Sequence, residues 1–544
     1  MKRKLVWLAV SCLLVLSLVM SSCAQTPTTT PTAGKPEGTL VVPVNTLDRE
    51  LYNPRLAMQA EITHMACWET LLDRGEDFLT IGPRLAERWS MAPDGLSYDF
   101  WLRQGIQFQD DWGELTAEDV KYSYDLYMNE GSKWVIKGLM TKLGVTIEVV
   151  DKYHFVFRLT QPTWSLHTHM TEFQGRLPIA SKKHIEELGE DAALAGHPIG
   201  TGPWKYVERS PGESLTLEAV EDHWRQTPAF KTLIFKLVTE ESTRIAMLRS
   251  GQADMVNVSY KSLPELRQAG MKILTVNNVG LGYVSLGGQY PGRENFDPSY
   301  PWVGDPADPK DWEAAKKVRL ALNMAVNKEE IRDVILQGAG VFFGAPQFWP
   351  GTSFNNPAWK PIEYDPEQAK KLLAEAGYPN GFEATMNITA GPGRDVLKEI
   401  GEAVSIYWEK VGLKVNRTPV DWPAFNPQWR LRKIKGDNAF VYGDLFVDEP
   451  ALRLSVVSWV GGSYLSTAEH PGKDELIGKT LTEMDSTKRQ ALYNEIGDWY
   501  YNNYVSIPIC TVSSFWALGP RIGTTKIVKG NIFASNMEYV THAK

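Results

Sequence analysis

The chain has 544 residues, of which 43% are hydrophobic and 22% charged, and its formal net charge is −8. These proportions exclude an intrinsically disordered chain and a polytopic membrane protein, and the length predicts about three domains. The acidic balance argues against a nucleic-acid-binding protein, because such proteins present a basic surface.

Residues 1–22 have the pattern of an export signal peptide. Basic residues at 2–4 precede an apolar-rich run of about 16 residues, which is short for a membrane span and suits a signal sequence. The "SSC" that ends at Cys23 resembles a bacterial lipobox, although Met20 stands where that motif usually has Leu. It predicts lipidation of Cys23; ordinary cleavage, with Cys23 as a spare thiol, is the alternative.

Residues 23–38 are rich in Thr, Pro and Gly, contain no apolar side chain larger than alanine after Cys23 and predict a flexible tether to the membrane. Two further cysteines, Cys67 and Cys510, lie far apart in the sequence and belong to no CxxC motif, which excludes a zinc knuckle or a redox motif. They are expected to be two buried thiols, with a disulfide as the alternative outside the cytoplasm.

The first half of the folded chain is predicted to consist mainly of strands. "TLVVPV" at 39–44 predicts the first strand, and Asp94-Gly95 predicts a hairpin turn. Thr116 and Asp119 have capping-box spacing and predict the start of a helix. Three side chains after the hairpin turn alternate with others and predict a strand with one buried side: Tyr98, Phe100 and Leu102.

"GTGPWKYVE" at 200–208 looks at first like a phosphate-binding loop. No helix follows the glycines, and the Gly-Lys-Ser/Thr of a P-loop is absent, so the phosphate hypothesis fails. Trp204, Tyr206 and Glu208 alternate with Lys205 and Val207, which predicts a strand entered through a bend. Further strands are predicted over 213–220, 230–238 and 255–258, with a helix over 242–249.

The middle of the chain is rich in predicted helices. One has Asp311 as its expected N-cap and an apolar face that includes Val318 and Leu322. A second begins with Asp365 as N-cap and Pro366 at its first position, and ends before Gly377. Other predicted elements are a helix that feeds a strand over 399–416, a helix over 486–502 and a strand over 505–510.

Four segments in this order resemble the solute-binding proteins of peptide-type ABC importers, the extracellular solute-binding family 5 of oligopeptide and dipeptide receptors. They are "PRLAERWS…DG…YDFWLRQGIQFQDDWGELTAEDV", "PIGTGPWKYVE", "LRSGQADM" and "VRLALNMAVNKEEI…YDPEQAKKLLAEAGY". The chain departs from the family pattern at "FQDD" (108–111), at Trp204, and at Asn327-Lys328, where Asp-Arg is usual. These departures indicate a divergent branch.

The resemblance implies an α/β, two-lobed periplasmic-binding-protein-like (class II) fold, with a hinge and an extra subdomain inserted in lobe one. Lobe one is expected over 39–277 with the subdomain at about 80–195, and lobe two over 278–505. Residues 506–544 are expected to return to lobe one.

The resemblance also implies a role without catalysis. The receptor encloses a peptide between its lobes and delivers it unchanged to a membrane permease. It is expected to be a lipid-anchored monomer outside the cytoplasm, in the periplasm or on the outer face of the cytoplasmic membrane. No cofactor, metal or nucleic-acid partner is expected.

The segment "FVYGDLFVDEP" lies where family members carry the acidic residue for the ligand's amino group, and Asp444 is favoured over Asp448. Arg394 lies near the position of a carboxylate-binding arginine, although its spacing differs by a few residues. The alternative to a binding role is a structural one: the acidic residues would be solvated, the arginine would lie on the surface and the aromatic residues would pack in the core. The expected ligand-binding residues are Asp444, Asp448, Arg394, Tyr442, Trp422 and Trp459.

Two other functions remain open. The cargo is an oligosaccharide in some branches of this family, and the 19 Trp residues suit stacking on sugar rings. An exported hydrolase is the second alternative, but no GxSxG motif or distinct acid pair supports it. A metal site at His167 and His169 is not expected, because the two side chains would share a face only on a strand. His184 lacks the second histidine of a zinc-protease motif.

Overall fold

The computed structural model describes residues 35–47, 53, 55, 66–75, 80–134, 136–171, 177–390, 395–445, 450, 454, 468–525 and 536–544. The predicted export signal, Cys23 and most of the predicted tether lie outside these residues. Within the described part of the chain, no helix is long and apolar enough to span a membrane.

The described residues form strands that belong to four sheets. The strands are β1 (Thr39–Val44), β2 (Leu72–Arg74), β3 (Ile81–Pro83), β4 (Ala86–Met91), β5 (Ser97–Leu102), β6 (Thr146–Asp151), β7 (His154–Arg158), β8 (Trp204–Ser210), β9 (Ser214–Ala219), β10 (Thr232–Leu237), β11 (Met255–Val258), β12 (Lys272–Leu286), β13 (Glu383–Ala390), β14 (Lys414–Asp421), β15 (Asn438–Leu445) and β16 (Ser506–Leu518).

The helices lie mostly after β10, which confirms the predicted helix-rich middle. They are α1 (Ala117–Met128), α2 (Lys137–Leu143), α3 (Lys182–Leu188), α4 (Glu241–Arg249), α5 (Leu263–Gln268), α6 (Pro309–Met324), α7 (Pro366–Glu375), α8 (Asp395–Lys410), α9 (Trp422–Arg430), α10 (Pro471–Thr482) and α11 (Ser486–Asn503). Shorter helical turns include Gln109–Asp111, Leu166–Met170, Tyr260–Ser262, Lys328–Glu330 and Met537–Tyr539.

A four-stranded sheet with the order β1-β10-β9-β8 forms the first layer. β1 pairs with β10 in parallel, and the other pairs are antiparallel. Its core contains Leu40, Leu217 and Trp204, all fully buried. The alternation predicted for β8 is interrupted, because a bulge between Tyr206 and Glu208 leaves Val207 and Glu208 both exposed.

A second antiparallel sheet, β4-β5-β7-β6, lies in the chain between β1 and β8 of the first sheet. We call this sheet, together with α1, α2 and the segment that follows β7 up to Met170, the inserted subdomain. Its hairpin turns at Asp94-Gly95, as predicted, and Tyr98, Phe100 and Leu102 of β5 are buried. The capping box at the start of α1 is also confirmed, since Thr116 N donates to the Asp119 carboxylate at 2.9 Å.

The largest sheet has the order β11-β16-β12-β15-β13-β14. β15, β13 and β14 run parallel to one another, whereas β11, β16, β12 and β15 are antiparallel neighbours. α8 packs against β13, β14 and β15 and supplies Ile400, Val404 and Trp408 to the core. The parallel strands are thus connected through helices, as expected for α/β architecture.

The two longest strands, β12 and β16, pair along most of their length. The pairing register shifts between Val276 and Gly280, where Asn278 has a φ of 55°. Thr511 Oγ1 donates to Asn278 Oδ1 at 2.6 Å and holds this irregularity in place. A local bulge with left-handed backbone bends paired strands. It lies beside the position predicted for the lobe boundary, which stays a prediction.

The predicted N-cap of α6 is wrong by three residues. The helix begins at Pro309, and the cap is Asp308, whose carboxylate accepts hydrogen bonds from Lys310 N and Asp311 N. Proline favours the first helical position because its φ is fixed. Asp311 instead accepts from Asp305 N at 2.6 Å.

The cap predicted for α7 is confirmed. Asp365 accepts from Gln368 N at 2.9 Å, Pro366 is the first helical residue, and Gly377 has a φ of 98° just past the end.

Candidate ligand-binding site

The carboxyl ends of three parallel strands lie at the same edge of the largest sheet. β13 ends at Ala390, β14 at Asp421 and β15 at Leu445. In open α/β sheets, ligands bind outside the carboxyl ends of parallel strands. We therefore take this carboxyl edge as the candidate site.

Two predicted site residues, Trp422 and Tyr442, meet at this edge. Trp422 begins α9 directly after β14, and Tyr442 lies on the neighbouring part of β15. Their rings stack with centroids 5.8 Å apart and planes inclined by 29°. Residues 20 positions apart in the sequence thus form one aromatic surface.

Two further aromatic residues complete this cluster. Trp429 contacts Tyr442 edge-on with centroids 4.5 Å apart, and Tyr283 of β12 contacts it edge-on at 5.8 Å. We call Trp422, Trp429, Tyr442 and Tyr283 the aromatic cluster. Tyr283, Trp429 and Tyr442 are buried, whereas Trp422 is half-buried and offers the cluster's most accessible ring. Aromatic surfaces of this kind pack well against ligands with apolar or planar parts.

The short helix α9 positions the two tryptophans. Proline follows Trp422 directly and suits the first turn of a helix. Trp429 lies seven residues after Trp422, two helical turns along the same face, so both rings reach β15. Phe425 and Phe440 support the cluster: the ring centroid of Phe440 lies 5.1 Å from that of Trp429, and the centroid of Phe425 lies 6.3 Å from that of Trp422.

Asp444 belongs to β15, and its backbone pairs with Leu281 of β12. It therefore lies two residues after Tyr442 on the same strand, at the carboxyl edge. The structure does not describe its side chain. Arg394, Asp448 and Trp459 lie outside the described residues, so their binding roles stay predictions.

Sequence reasoning missed Tyr283. It lies between Gly282 and Val284 in a long strand where no local motif singles it out, and its contact Tyr442 is more than 150 positions away. The contact arises from the antiparallel pairing of β12 with β15, in which Tyr283 lies opposite Tyr442. Only knowledge of this register would have identified it.

The glycine-rich stretch at 200–208 is not part of this edge. A Cβ at Gly200 would lie 2.1 Å from Cys67 O, and one at Gly202 would lie 2.4 Å from Ala66 O. The glycines are required because two backbone segments touch. These close backbone contacts agree with the bend predicted to lead into β8.

Between these two glycines, Thr201 joins a buried polar network. Its hydroxyl donates to Glu69 at 3.1 Å, and Glu69 also accepts from Arg225 Nε at 3.0 Å and Trp224 Nε1 at 2.9 Å. Burial alone would raise the pKa of Glu69, but the positive charges of Arg225 and Arg84 lower it overall. The network is a scaffold that holds the glycine-rich bend against the segment after Ala66.

His167 and His169 lie on a 3₁₀ turn, where His169 is buried and His167 is half-buried. Burial lowers the pKa of His167 to about 4 and that of His169 to about 3. The ring of His167 stacks against Trp89 and Tyr98, with centroids 6.3 and 6.2 Å away. In the described residues, no group of three His, Cys, Asp or Glu side chains is arranged to hold a metal ion.

The cysteines predicted as two buried thiols, Cys67 and Cys510, are both free and buried. Burial raises the pKa of each thiol to about 12. Cys67 belongs to the core of the first sheet and Cys510 to the core of the largest sheet.

Residues 80–461 match the model of the bacterial extracellular solute-binding proteins, family 5. The chain belongs to this family. It is 26% identical to heme-binding protein A of Haemophilus influenzae, over 81% of each chain. It is 27% identical to the oligopeptide-binding protein AppA of Bacillus subtilis, over 78% of each chain.

Among solved structures, the chain is similar to the periplasmic binding protein DppA of Helicobacter pylori, solved in complex with the peptide STSA. The TM-score is 0.76 at 23% identity, and the match covers 93% of this chain and 98% of that one. This similarity confirms the two-lobed class II fold with a hinge and an inserted subdomain. The relatives are named for different ligands, heme and oligopeptides.

Proposed function

We propose that this protein is the receptor of an ABC importer, which captures peptides between its two lobes and delivers them unchanged to a membrane permease. In this proposal it acts outside the cytoplasm as a monomer, and a lipid on Cys23 holds it at the membrane. Lobe one spans about 39–277 with the return segment 506–544, and lobe two spans about 278–505.

The observation that carries the peptide proposal is the aromatic cluster beside Asp444 at the carboxyl edge. A peptide offers apolar side chains and planar amides to Trp422 and Tyr442, and a positive amino terminus to a nearby carboxylate. Asp444 lies two residues from Tyr442, on a strand whose partner β12 runs into the bulge near Asn278. The names of the peptide-binding relatives support the same class of ligand.

We assign the ligand's ammonium group to Asp444, with Asp448 as the second carboxylate of the segment. Arg394 follows β13 by four residues in the sequence and is assigned to the ligand's carboxylate. Charge-assisted hydrogen bonds of this kind are worth about 1.5–3 kcal/mol each. A micromolar Kd needs about 8 kcal/mol of net binding free energy, so the two charged contacts and the aromatic contacts together reach this range.

In this proposal, the ligand is captured because its binding shifts the population of molecules from the open to the closed form. Only the closed arrangement places both lobes against the ligand, so a ligand that contacts both lobes stabilises the closed form. The protein makes and breaks no bond in the cargo. Release to the permease requires the lobes to separate again.

Isothermal titration calorimetry with the peptide Ser-Thr-Ser-Ala and with cellotriose tests the proposal. We expect binding of the peptide, and a loss of about tenfold to a hundredfold in affinity on Asp444→Asn, because the substitution removes the charge opposite the ammonium group. Acetylation of the peptide's amino terminus should weaken binding to the wild type and have little further effect on Asp444→Asn.

Asp421→Asn is the matched control, because Asp421 is exposed at the same edge and its side chain does not cap α9. Equal losses in both variants would show a general charge effect and would contradict the assignment of Asp444. Binding of cellotriose without binding of the peptide would replace the peptide with an oligosaccharide as cargo. Hydrolysis of either probe would contradict the receptor role.

A further inference from the structure

The tip of a helical hairpin touches the inserted subdomain. The hairpin consists of α10 and α11, and residues 483–485 form its tip. Trp164 of the subdomain donates a hydrogen bond from Nε1 to Thr480 O at 3.0 Å, across 316 positions of sequence. Its ring also packs on a hydrophobic cluster to which the hairpin contributes Ile477, Leu481 and Tyr493.

Arg489 of α11 strengthens this contact. Its guanidinium lies over the Trp164 ring, 3.9 Å from the centroid. It also donates to Glu483 O at 2.7 Å and so is fixed to the tip of the hairpin. A guanidinium over an indole ring is a favourable cation–π arrangement.

The subdomain side of the contact is held by its own hydrogen bonds. Thr163 N donates to Gly95 O at 3.1 Å, and Tyr98 OH donates to Thr163 O at 2.7 Å. Gly95 faces the tip so closely that an added Cβ would lie 2.8 Å from Met484 Sδ. Gly95, Thr163 and Trp164 therefore form a notch that fits the tip of the hairpin.

The two sides of the contact belong to different parts of the fold. The subdomain is inserted between strands of the first sheet, whereas the hairpin follows β15 of the largest sheet. In the two-lobed assignment above, the first part belongs to lobe one and the second to lobe two. A motion that separates the lobes would pull the tip of the hairpin out of the notch.

We propose that this contact is a closure clasp, which forms when the lobes close and adds to the stability of the closed form without touching the ligand. Its chemistry suits repeated opening. Thr480 lies in the last turn of α10, where carbonyl groups lack a helical N–H partner, so water replaces Trp164 when the clasp opens. Trp164, Met484 and Arg489 are only half-buried even when it is closed.

The clasp predicts an effect on affinity at a distance from the site. The apparent affinity of a receptor is the intrinsic affinity multiplied by the fraction of molecules able to close. Weakening the clasp should therefore lower ligand affinity severalfold, and most of the change should be in the dissociation rate, since an opened receptor loses its ligand. This link to affinity rests on the proposed receptor function, whereas the clasp itself does not.

Spin-label distances measured by double electron–electron resonance test the clasp directly. Labels at Ser90→Cys on the subdomain and Lys488→Cys on the hairpin are both on exposed positions, in a Cys12→Ser, Cys23→Ser background. We expect a short-distance population in the wild type. Trp164→Phe removes the hydrogen bond and Arg489→Gln removes the cation, and each should reduce that population severalfold and weaken binding of Ser-Thr-Ser-Ala.

Trp101→Phe and Arg88→Gln are the matched controls. Arg88 lies over Trp101 at 3.6 Å, so the same chemistry occurs within the subdomain and away from the hairpin. An unchanged distance distribution in Trp164→Phe and Arg489→Gln would overturn the clasp, and so would a single long distance in the wild type. Distances that respond while the peptide does not bind would support the clasp and reject the peptide as cargo.

Discussion

At the scale of the residue, a tight contact between two backbone segments requires glycine at two positions. Gly200 and Gly202 lie against the carbonyl groups of Cys67 and Ala66, and Trp68 Nε1 donates to Ile199 O at 2.8 Å beside them. The stretch resembles a phosphate loop only in composition. Its glycines make room for protein backbone rather than for an anion.

Gly200→Ala should destabilise the protein by about 2–4 kcal/mol, because the added methyl group would overlap a rigid carbonyl group. Urea unfolding followed by circular dichroism measures the change. Gly478→Ala is the control, since this glycine lies in α10 with open space around its Cα, and the same substitution there should stabilise by up to about 1 kcal/mol. Equal effects at the two positions would contradict the contact.

At the scale of the element, the start of α10 combines a helix cap with a titrating group. His470 Nδ1 accepts from Gly472 N at 3.2 Å, and the imidazole lies between the rings of Trp312 and Trp499, with centroids 5.1 Å from each. Burial, together with the positive charges of Lys473 and Arg319, lowers the pKa of His470 to about 4. The folded protein thus keeps this imidazole neutral.

The free energy of unfolding should fall as the pH decreases from about 6.5 to 4. In this range the unfolded chain binds a proton at His470 and the folded chain does not, so acid favours unfolding. His470→Asn keeps an acceptor for the helix cap and removes the titration. Urea unfolding at a series of pH values should show the variant gaining stability relative to the wild type as the pH falls; a difference that stays constant with pH would contradict this assignment.

Local patterns predicted most elements, because hydrogen bonds and caps within a few residues determine them. The strand at 39–44, the hairpin at Asp94-Gly95 and the cap at Asp365 follow from residues that are neighbours in sequence. The cap of α6 was misplaced because Asp308 and Asp311 both suit the position, and Pro309 decides between them. The aromatic cluster depends on strand register, so only Trp422 and Tyr442 were predicted.

At the scale of the whole molecule, the reactivity of the two thiols measures the opening of two different hydrophobic cores. Cys67 lies in the core of the first sheet and Cys510 in that of the largest sheet, and both are fully buried. A buried thiol with a raised pKa has little reactive thiolate. Labelling therefore requires the surrounding core to open.

In a Cys12→Ser, Cys23→Ser background, a thiol reagent such as DTNB should not react with the native protein and should modify two thiols in urea. Reducing agent should leave the unfolding midpoint unchanged, because the two cysteines form no disulfide. Single Cys→Ser variants at each position would then separate the opening rates of the two cores. A shift of the midpoint with reducing agent would contradict the free thiols.

β12 and β16 pair with each other along most of their length, whereas the candidate ligand residues Trp422 and Asp444 lie at the ends of β14 and β15. The bulge at Asn278 and the two tryptophans of the aromatic cluster therefore lie in separate stretches of the sequence. In the proposed receptor, new cargo preferences can evolve through a few changes after β13, β14 and β15 while the strand segment at the bulge keeps its sequence. Such a division suits a family whose members are named for ligands as different as heme and oligopeptides.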